Sequence, residues 1–178
     1  MSSSLHSRIL DRAVRQFDMP VIQNNLRGLY VEFMVAELLG EGWRHNGSDW
    51  AAFDLEHSGG TRVEVKQSAS LQTWSAPASG SKKRSFSIRT PKREWVGSVA
   101  TPCSARVASI YVFAWHDDDT AQADQRNSEQ WKFYVVATRS LPDQQTISLA
   151  ALTKLAKPVA ADQLKPSLEA LLKDGLIQ

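Results

Sequence analysis

Residues 53–67, Phe-Asp-Leu-Glu-His-Ser-Gly-Gly-Thr-Arg-Val-Glu-Val-Lys-Gln, admit few local folds. Two runs alternate apolar and charged residues, and Ser58-Gly59-Gly60 lies between them. Alternation with period two is a strand signal, and glycines between two such runs mark a hairpin. The stretch predicts one strand from Trp50 to Glu56 and a second carrying Val63 to Lys66. Parity then chooses the register. A two-residue Gly59-Gly60 loop would set Asp54 opposite Val65 and split the acids between two faces. An odd-numbered loop, or a bulge, sets Asp54 opposite Glu64, Phe53 opposite Val65 and Leu55 opposite Val63. Only that register makes one face apolar (Phe53, Leu55, Val63, Val65) and the other charged (Asp54, Glu64, Lys66). A slip of one residue inverts the faces, so burial selects it.

A helix precedes the hairpin. Leu26, Tyr30, Phe33, Met34 and Leu38 make an apolar stripe from about Asn25 to Leu39, and Gly40 and Gly42 stop it. Glu37 reads as a solvated charge. Glu32 shares a face with Gly28, Leu29, Ala36 and Leu39, which predicts partial cover. A covered carboxylate needs a partner. Arg27 or Arg44 would make an ordinary ion pair, and the hairpin acids offer a functional alternative. An earlier helix, Leu5 to Phe17, has Ser4 as its cap and Leu5, Ile9, Leu10, Ala13, Val14 and Phe17 on one side.

After the hairpin, Ser68 to Gly80 reads as an irregular loop with Trp74 in it. Lys82, Lys83, Arg84, Arg89, Lys92 and Arg93 then follow with no acid until Glu94. Pro91 predicts a short helix start. Ala108 to Trp115 is a nearly continuous apolar strand suited to a sheet interior. His116 to Gln130 reads as a mobile polar loop, and its three successive aspartates as solvated. Trp131 to Ala137 predicts another strand. Leu149 to Leu155 and Gln163 to Lys173 predict helices capped by Ser148 and Asp162, with Gly175 ending the second. His45, His57 and His116 lack metal-ligand spacing and read as surface or strand-end residues. The tryptophans read as mostly core, and Trp74 is the first exception, read as a base or partner contact.

The 178 residues suit one α/β domain with a mixed sheet: an N-terminal helix within 1–20, a core over 25–137 and C-terminal helices over 145–178. No apolar run reaches 18 residues, which predicts no membrane span, and the first residues lack the pattern of a secretory leader. Cys103 is the single cysteine, so a disulfide within the chain and a thiol zinc cluster are both excluded. These features predict a cytoplasmic protein. A net charge of +2 does not by itself argue for nucleic acid, so the placement of the charge carries the argument.

Phosphodiester hydrolysis requires charge stabilisation at the phosphoryl oxygens and a deprotonated water. Two carboxylates on one sheet face supply hard oxygen ligands for Mg²⁺, which lowers the pKa of its bound waters. Asp54 and Glu64 are those carboxylates, and the Val65 carbonyl between Glu64 and Lys66 is a third oxygen. Lys66 lies on the face of Glu64 and can bind the phosphate or orient water. Burial would lower its pKa. The tripeptide Glu-x-Lys alone is uninformative, with about one chance occurrence in a chain this long. The conjunction carries the signal: valines on the opposite face, an acid upstream in matching parity, a helix with an embedded Glu32, and a basic segment behind.

At these residues the chain resembles the PD-(D/E)xK nuclease superfamily, of restriction-endonuclease-like fold. Arg27-Gly28-Leu29-Tyr30-Val31-Glu32 looks like the helix carrying the family's first acid, as in Holliday-junction resolvases. Asp54 matches the central acid, Glu64 and Lys66 the second acid and lysine, and Gln67 the polar residue that follows in some branches. Phe53 stands where the family usually writes proline. The resemblance covers residues 25–137. It implies a core of helix, three-stranded meander, helix and strand. It also implies Glu32, Asp54, Glu64, Lys66 and Gln67 as catalytic residues, Mg²⁺ (with Mn²⁺ as substitute) on Asp54, Glu64 and Val65, and a DNA substrate. Lys82, Lys83, Arg84, Arg89, Lys92 and Arg93 would then contact its backbone. Exposed apolar parts of the terminal helices would suit a homodimer. The alternative is a non-catalytic nucleic-acid-binding or assembly module that kept the fold. A small-molecule or protein-processing enzyme is disfavoured, because no nucleotide loop, nucleophile elbow or Cys/His arrangement occurs.

Overall fold

The computed structural model describes residues 4–47, 51–74, 84–96, 99–173 and 175. In chain order the elements are α1 (Leu5–Arg15), α2 (Asn24–Leu39), β1 (Trp43–His45), β2 (Leu55–His57), β3 (Arg62–Ala69), β4 (Ser85–Ser87), β5 (Arg93–Val96), β6 (Val99–Pro102), β7 (Ile110–His116), β8 (Trp131–Ala137), β9 (Thr146–Ser148), α3 (Leu149–Leu155) and α4 (Leu164–Lys173). The architecture is mixed α/β. Five strands form the central sheet in the order β1-β2-β3-β7-β8. The β3–β7 pair is parallel, and the other neighbours are antiparallel. No helix among the described residues is long and apolar enough to cross a membrane.

Alternation along the strands divides the core between the two sheet faces. Val63 and Val65 of β3, Ile110, Val112 and Ala114 of β7, and Trp131 and Phe133 of β8 pack on one face with Val31, Val35 and Leu39 of α2 and Leu164 and Leu168 of α4. Tyr111, Phe113, Trp115, Tyr134 and Val136 pack on the other, under Phe86 of β4, Ile147 of β9 and Leu152 of α3. Every residue of β7 is buried, as its unbroken apolar run predicts.

The hairpin has the odd loop that parity requires. Leu55 pairs with Val63 and Glu56 with Arg62, and the His57 N–H donates to Thr61, so Ser58, Gly59 and Gly60 form a three-residue turn. Gly60 closes it at φ +87°, a conformation open to glycine at no steric cost.

Several expectations are corrected. The first hairpin strand is short, beginning at Leu55 rather than Trp50, which lies outside the described residues. Phe53 does not join Leu55: it is buried in the opposite core, beneath the Arg62 guanidinium at 4.5 Å. The cause is local. The Asp54 N–H donates to Val63, the residue that Leu55 already faces, so two consecutive residues oppose one and the parity upstream reverses, as at a β-bulge.

The 70–109 connection between β3 and β7 contains no helix among its described residues. Where Pro91 predicts a helix start, Arg93–Val96 and Val99–Pro102 pair as an antiparallel ribbon. Val96, Val99 and Trp95 favour the pleated conformation, and the Cys103 N–H to Lys92 bond closes the ribbon. The 116–130 loop is tied down rather than free. The buried Gln125 side chain accepts the Ile22 N–H at 2.9 Å and donates to the Leu71 carbonyl at 2.9 Å. Ser4 and Ser148 cap their helices as expected, whereas Asp162 sits inside a 3₁₀ turn ahead of α4.

Candidate active site

The β2 ladder stops at Leu55 while β3 continues to Ala69, which leaves one edge of β3 without a strand partner beyond Val63 among the described residues. Asp54 fills the start of that opening. Its Oδ2 accepts the Val65 N–H at 2.7 Å. Within a strand the N–H and C=O of one residue point the same way, so the Val65 carbonyl points towards Asp54 as well. The next residues on β3, Glu64 and Lys66, project from the face of the second core, opposite Tyr111 and Phe113 of β7. They form an ion pair with each other. Glu32 reaches the same neighbourhood from α2, and its carboxylate raises the pKa values of both Asp54 and Glu64. The bulge, the open strand edge and the helix thus bring Glu32, Asp54, Glu64 and Lys66 into one electrostatic cluster.

The partner of Glu32 is neither Arg27 nor Arg44. His45 Nε2 lies 2.8 Å from its Oε2, and Phe33 packs edge-on against the imidazole at 4.8 Å. Arg44 instead pairs with Glu56. His45 is therefore not an isolated strand-end residue. Nor is His116, which is fully buried against Trp131, with Nε2 bonded to Gln130 and Nδ1 unpartnered.

Burial of acids in this cluster shifts its titrations. Desolvation, reinforced by the Glu64 charge, pushes the Asp54 carboxyl up to about 7. Desolvation also raises Glu64, against the attraction of Lys66. Burial alone would lower Lys66, as expected from sequence. Here the Glu64 and Asp54 carboxylates overcome it, and the ammonium is held above its ordinary value. Tyr111, read from sequence as core only, belongs to the cluster too. Burial and the Glu64 charge push its phenol up to about 12.

The chemistry of the donor set suits Mg²⁺. Two crowded carboxylates and a strand carbonyl are hard oxygens. Burial is the main cause of the raised Asp54 value, and the part contributed by the Glu64 and Glu32 charges is repulsion that a cation would relieve. No group of three His, Cys, Asp or Glu side chains among the described residues forms a ligand cage. Mg²⁺ does not require one, since it keeps several waters and is held by one or two carboxylates. Asp54, Glu64 and the Val65 carbonyl therefore fit the ion.

Gln67 is placed elsewhere. Its Oε1 accepts the Arg27 Nε–H at 2.7 Å, and its amide nitrogen lies 3.2 Å from Asn24 Oδ1. Strand alternation turns it to the α2 side of the sheet, away from Lys66. Arg27 itself is fully buried, with Nη2 donating to Asn24 Oδ1 and Gln72 Oε1, both at 2.8 Å. Desolvation lowers its pKa to about 10. Of the basic segment, Lys82 and Lys83 lie outside the described residues. Arg84, Arg89, Lys92 and Arg93 are exposed, with Arg84 5.9 Å above the Trp115 ring and Arg89 bonded to Gln145. Trp74 is exposed as expected and Trp115 and Trp131 are core, but Trp95, on the β5–β6 ribbon, is exposed as well.

Comparison with family models, curated proteins and solved structures returned no match for this chain.

Proposed function

We propose that the protein is a divalent-metal-dependent DNA endonuclease with a restriction-endonuclease-like core. The observation that supports it best is the grouping of Asp54, Glu64 and Lys66 at the open edge of β3, with Glu32 supplied by the preceding helix. Asp54, Glu64 and the Val65 carbonyl would hold Mg²⁺ or Mn²⁺. When bound, the ion supplies Lewis acidity to the phosphoryl oxygens and a water of lowered pKa. Lys66 presents a compact positive charge on the same face, suited to a phosphate oxygen or to orienting the water. Glu32, fixed by His45, faces the cluster as a further acceptor for water. Arg84, Arg89, Lys92 and Arg93 are available to the DNA backbone. Such contacts position a duplex without reading its sequence.

The test is cleavage of supercoiled plasmid and of branched DNA with Mg²⁺ or Mn²⁺, with Lys66→Ala and Asp54→Asn as controls. Metal-dependent nicking that both variants lose supports the proposal, and equal cleavage by Lys66→Ala rejects its assigned role. One observation favours a second reading. The Lys66 charge is already met by Glu64, as suits a binding module that no longer cuts. That reading requires salt-dependent DNA binding, no response to Mg²⁺ and no cleavage.

A further inference from the structure

A cavity of about 540 Å³ opens where the segment leading into β7 (104–109) meets the turn leaving β8 (138–143). Volumes of this size hold small-molecule ligands. The two segments are joined at its wall, where the Thr138 N–H donates to the Ser109 carbonyl at 3.0 Å and the Thr138 hydroxyl to the Ala108 carbonyl at 2.6 Å. Arg106 is fixed in the same wall. Its Nε donates to the Ile88 carbonyl at 2.9 Å, and its Nη2 to the carbonyls of Pro142 at 2.9 Å and Gln144 at 3.2 Å. Carbonyls orient a guanidinium without cancelling its charge. Among the described residues Arg106 has no carboxylate partner, and its Nη1 makes no hydrogen bond. Arg139 also lines the cavity, exposed and with no ion pair among the described residues. The hydroxyls of Thr90, Ser104 and Ser109 are likewise unbonded there. Val107 and Leu141 supply an apolar side, and Asp143 is the one acid of the lining.

Two guanidinium charges against one carboxylate make the lining positive, which selects an anion. Guanidinium forks and hydroxyl donors suit the several oxygens of a phosphoryl group. A phosphomonoester carries about two negative charges at neutral pH, which matches the two arginines. A bare phosphate would leave the apolar side, Asp143 and most of the volume unused. An ionised carboxylate only accepts, so Asp143 calls for a donor on the ligand. A nucleotide has all three parts: a phosphoryl group, rings with apolar surface, and hydroxyl or amine donors. We infer that this cavity binds a nucleotide carrying a phosphomonoester, with the phosphoryl group on Arg106 and Arg139 and a sugar hydroxyl or base amine donating to Asp143. The nucleotide is either free or the phosphorylated end of a nucleic-acid chain. An internal phosphodiester has a single charge and extends on both sides, which fits a groove better than a cavity. The site uses none of the acids at β3, so the inference is independent of the nuclease reading.

The test is isothermal titration calorimetry on the full chain without divalent ions, so that Asp54 and Glu64 cannot hold a phosphate through a metal. The probes are nucleoside 5′- and 3′-monophosphates, inorganic phosphate, and a short single-stranded oligonucleotide with and without a terminal phosphate. A mononucleotide is expected to bind about tenfold or more tighter than inorganic phosphate, and Arg139→Gln to weaken it about tenfold. Arg139 and Asp143 are exposed, so their variants keep the fold, which circular dichroism verifies. Asp143→Ala should weaken the nucleotide but not inorganic phosphate. An oligonucleotide that needs its terminal phosphate and competes with the mononucleotide supports the site as a receptor for a chain end. A mononucleotide that no oligonucleotide displaces supports it as a site for the free nucleotide. Failure of every phosphorylated probe to bind at millimolar concentration overturns the proposal. So does inorganic phosphate binding as tightly as the nucleotide, or a nucleotide affinity that Arg139→Gln or Asp143→Ala leaves unchanged.

Discussion

The raised Asp54 carboxyl makes a prediction opposite to the usual one for a buried acid that has a hydrogen bond. Its pKa moves from 3.8 in the unfolded chain to about 7 in the fold. Between these values the folded state holds more protons than the unfolded state, so stability falls as pH rises through that window and levels off above 7. At about 1.36 kcal/mol per unit the full penalty is about 4 kcal/mol, already net of the attraction of Lys66, and a neutral side chain recovers up to that amount. Asp54→Asn keeps an oxygen for the Val65 N–H and removes the charge. Without divalent ions, urea unfolding should show the variant equal to the parent near pH 4 and more stable by about 2–4 kcal/mol at pH 8. Saturating Mg²⁺ should close most of that gap by stabilising the parent alone, since binding at 100-fold over Kd contributes about 2.7 kcal/mol. A variant that is less stable at pH 8, or a difference that does not change between pH 4 and 8, would refute the reasoning.

Other perturbations separate structural roles from functional ones. Gly42 has φ +87°, and an added Cβ would stand 2.6 Å from His57 Nε2. Gly60 has the same φ with nothing within 4 Å. Gly42→Ala should therefore lower stability by about 2–3 kcal/mol and Gly60→Ala by about 1 kcal/mol, measured by thermal or chemical unfolding. Arg27→Met should cost about 3 kcal/mol, because the buried Ile22 and Gln125 acceptors and the half-buried Gln67 and Gln72 acceptors lose their donor; Arg27→Lys should recover only part of this, since an ammonium cannot reproduce the fork. Gln67→Ala should lower the denaturation midpoint while leaving the rate of any DNA cleavage within a few-fold, which sets its docking to Arg27 apart from a role at Lys66. Alanine at Arg84, Arg89, Lys92 or Arg93 should reduce the slope of log affinity against log salt by about 1 for each phosphate contact removed, as read by DNA binding at several ionic strengths.

How far the site could be read from the chain depends on which contacts are local. The odd hairpin turn, the pairing of Leu55 with Val63, and the common face of Glu64 and Lys66 follow from period-two alternation between neighbours in sequence. The reversal at Phe53 does not, because no glycine or proline announces the bulge at Asp54. It shows only in the fold, where Phe53 is buried in the second core beneath the Arg62 guanidinium. The same limit explains the residues that were missed. His45 sits on a strand of three residues, too short to show a pattern, and its bond to Glu32 depends on how α2 crosses that strand. Tyr111 lies in an unbroken apolar run whose faces cannot be told apart by period, and only the parallel register with β3 sets it opposite Glu64. Parallel registers are fixed by a crossover of dozens of residues rather than by a turn. The acids of the cluster were therefore legible from the chain. What tunes them, the β7 strand behind and the helix across the end, is set by the long-range pairing that holds Asp54 near neutrality.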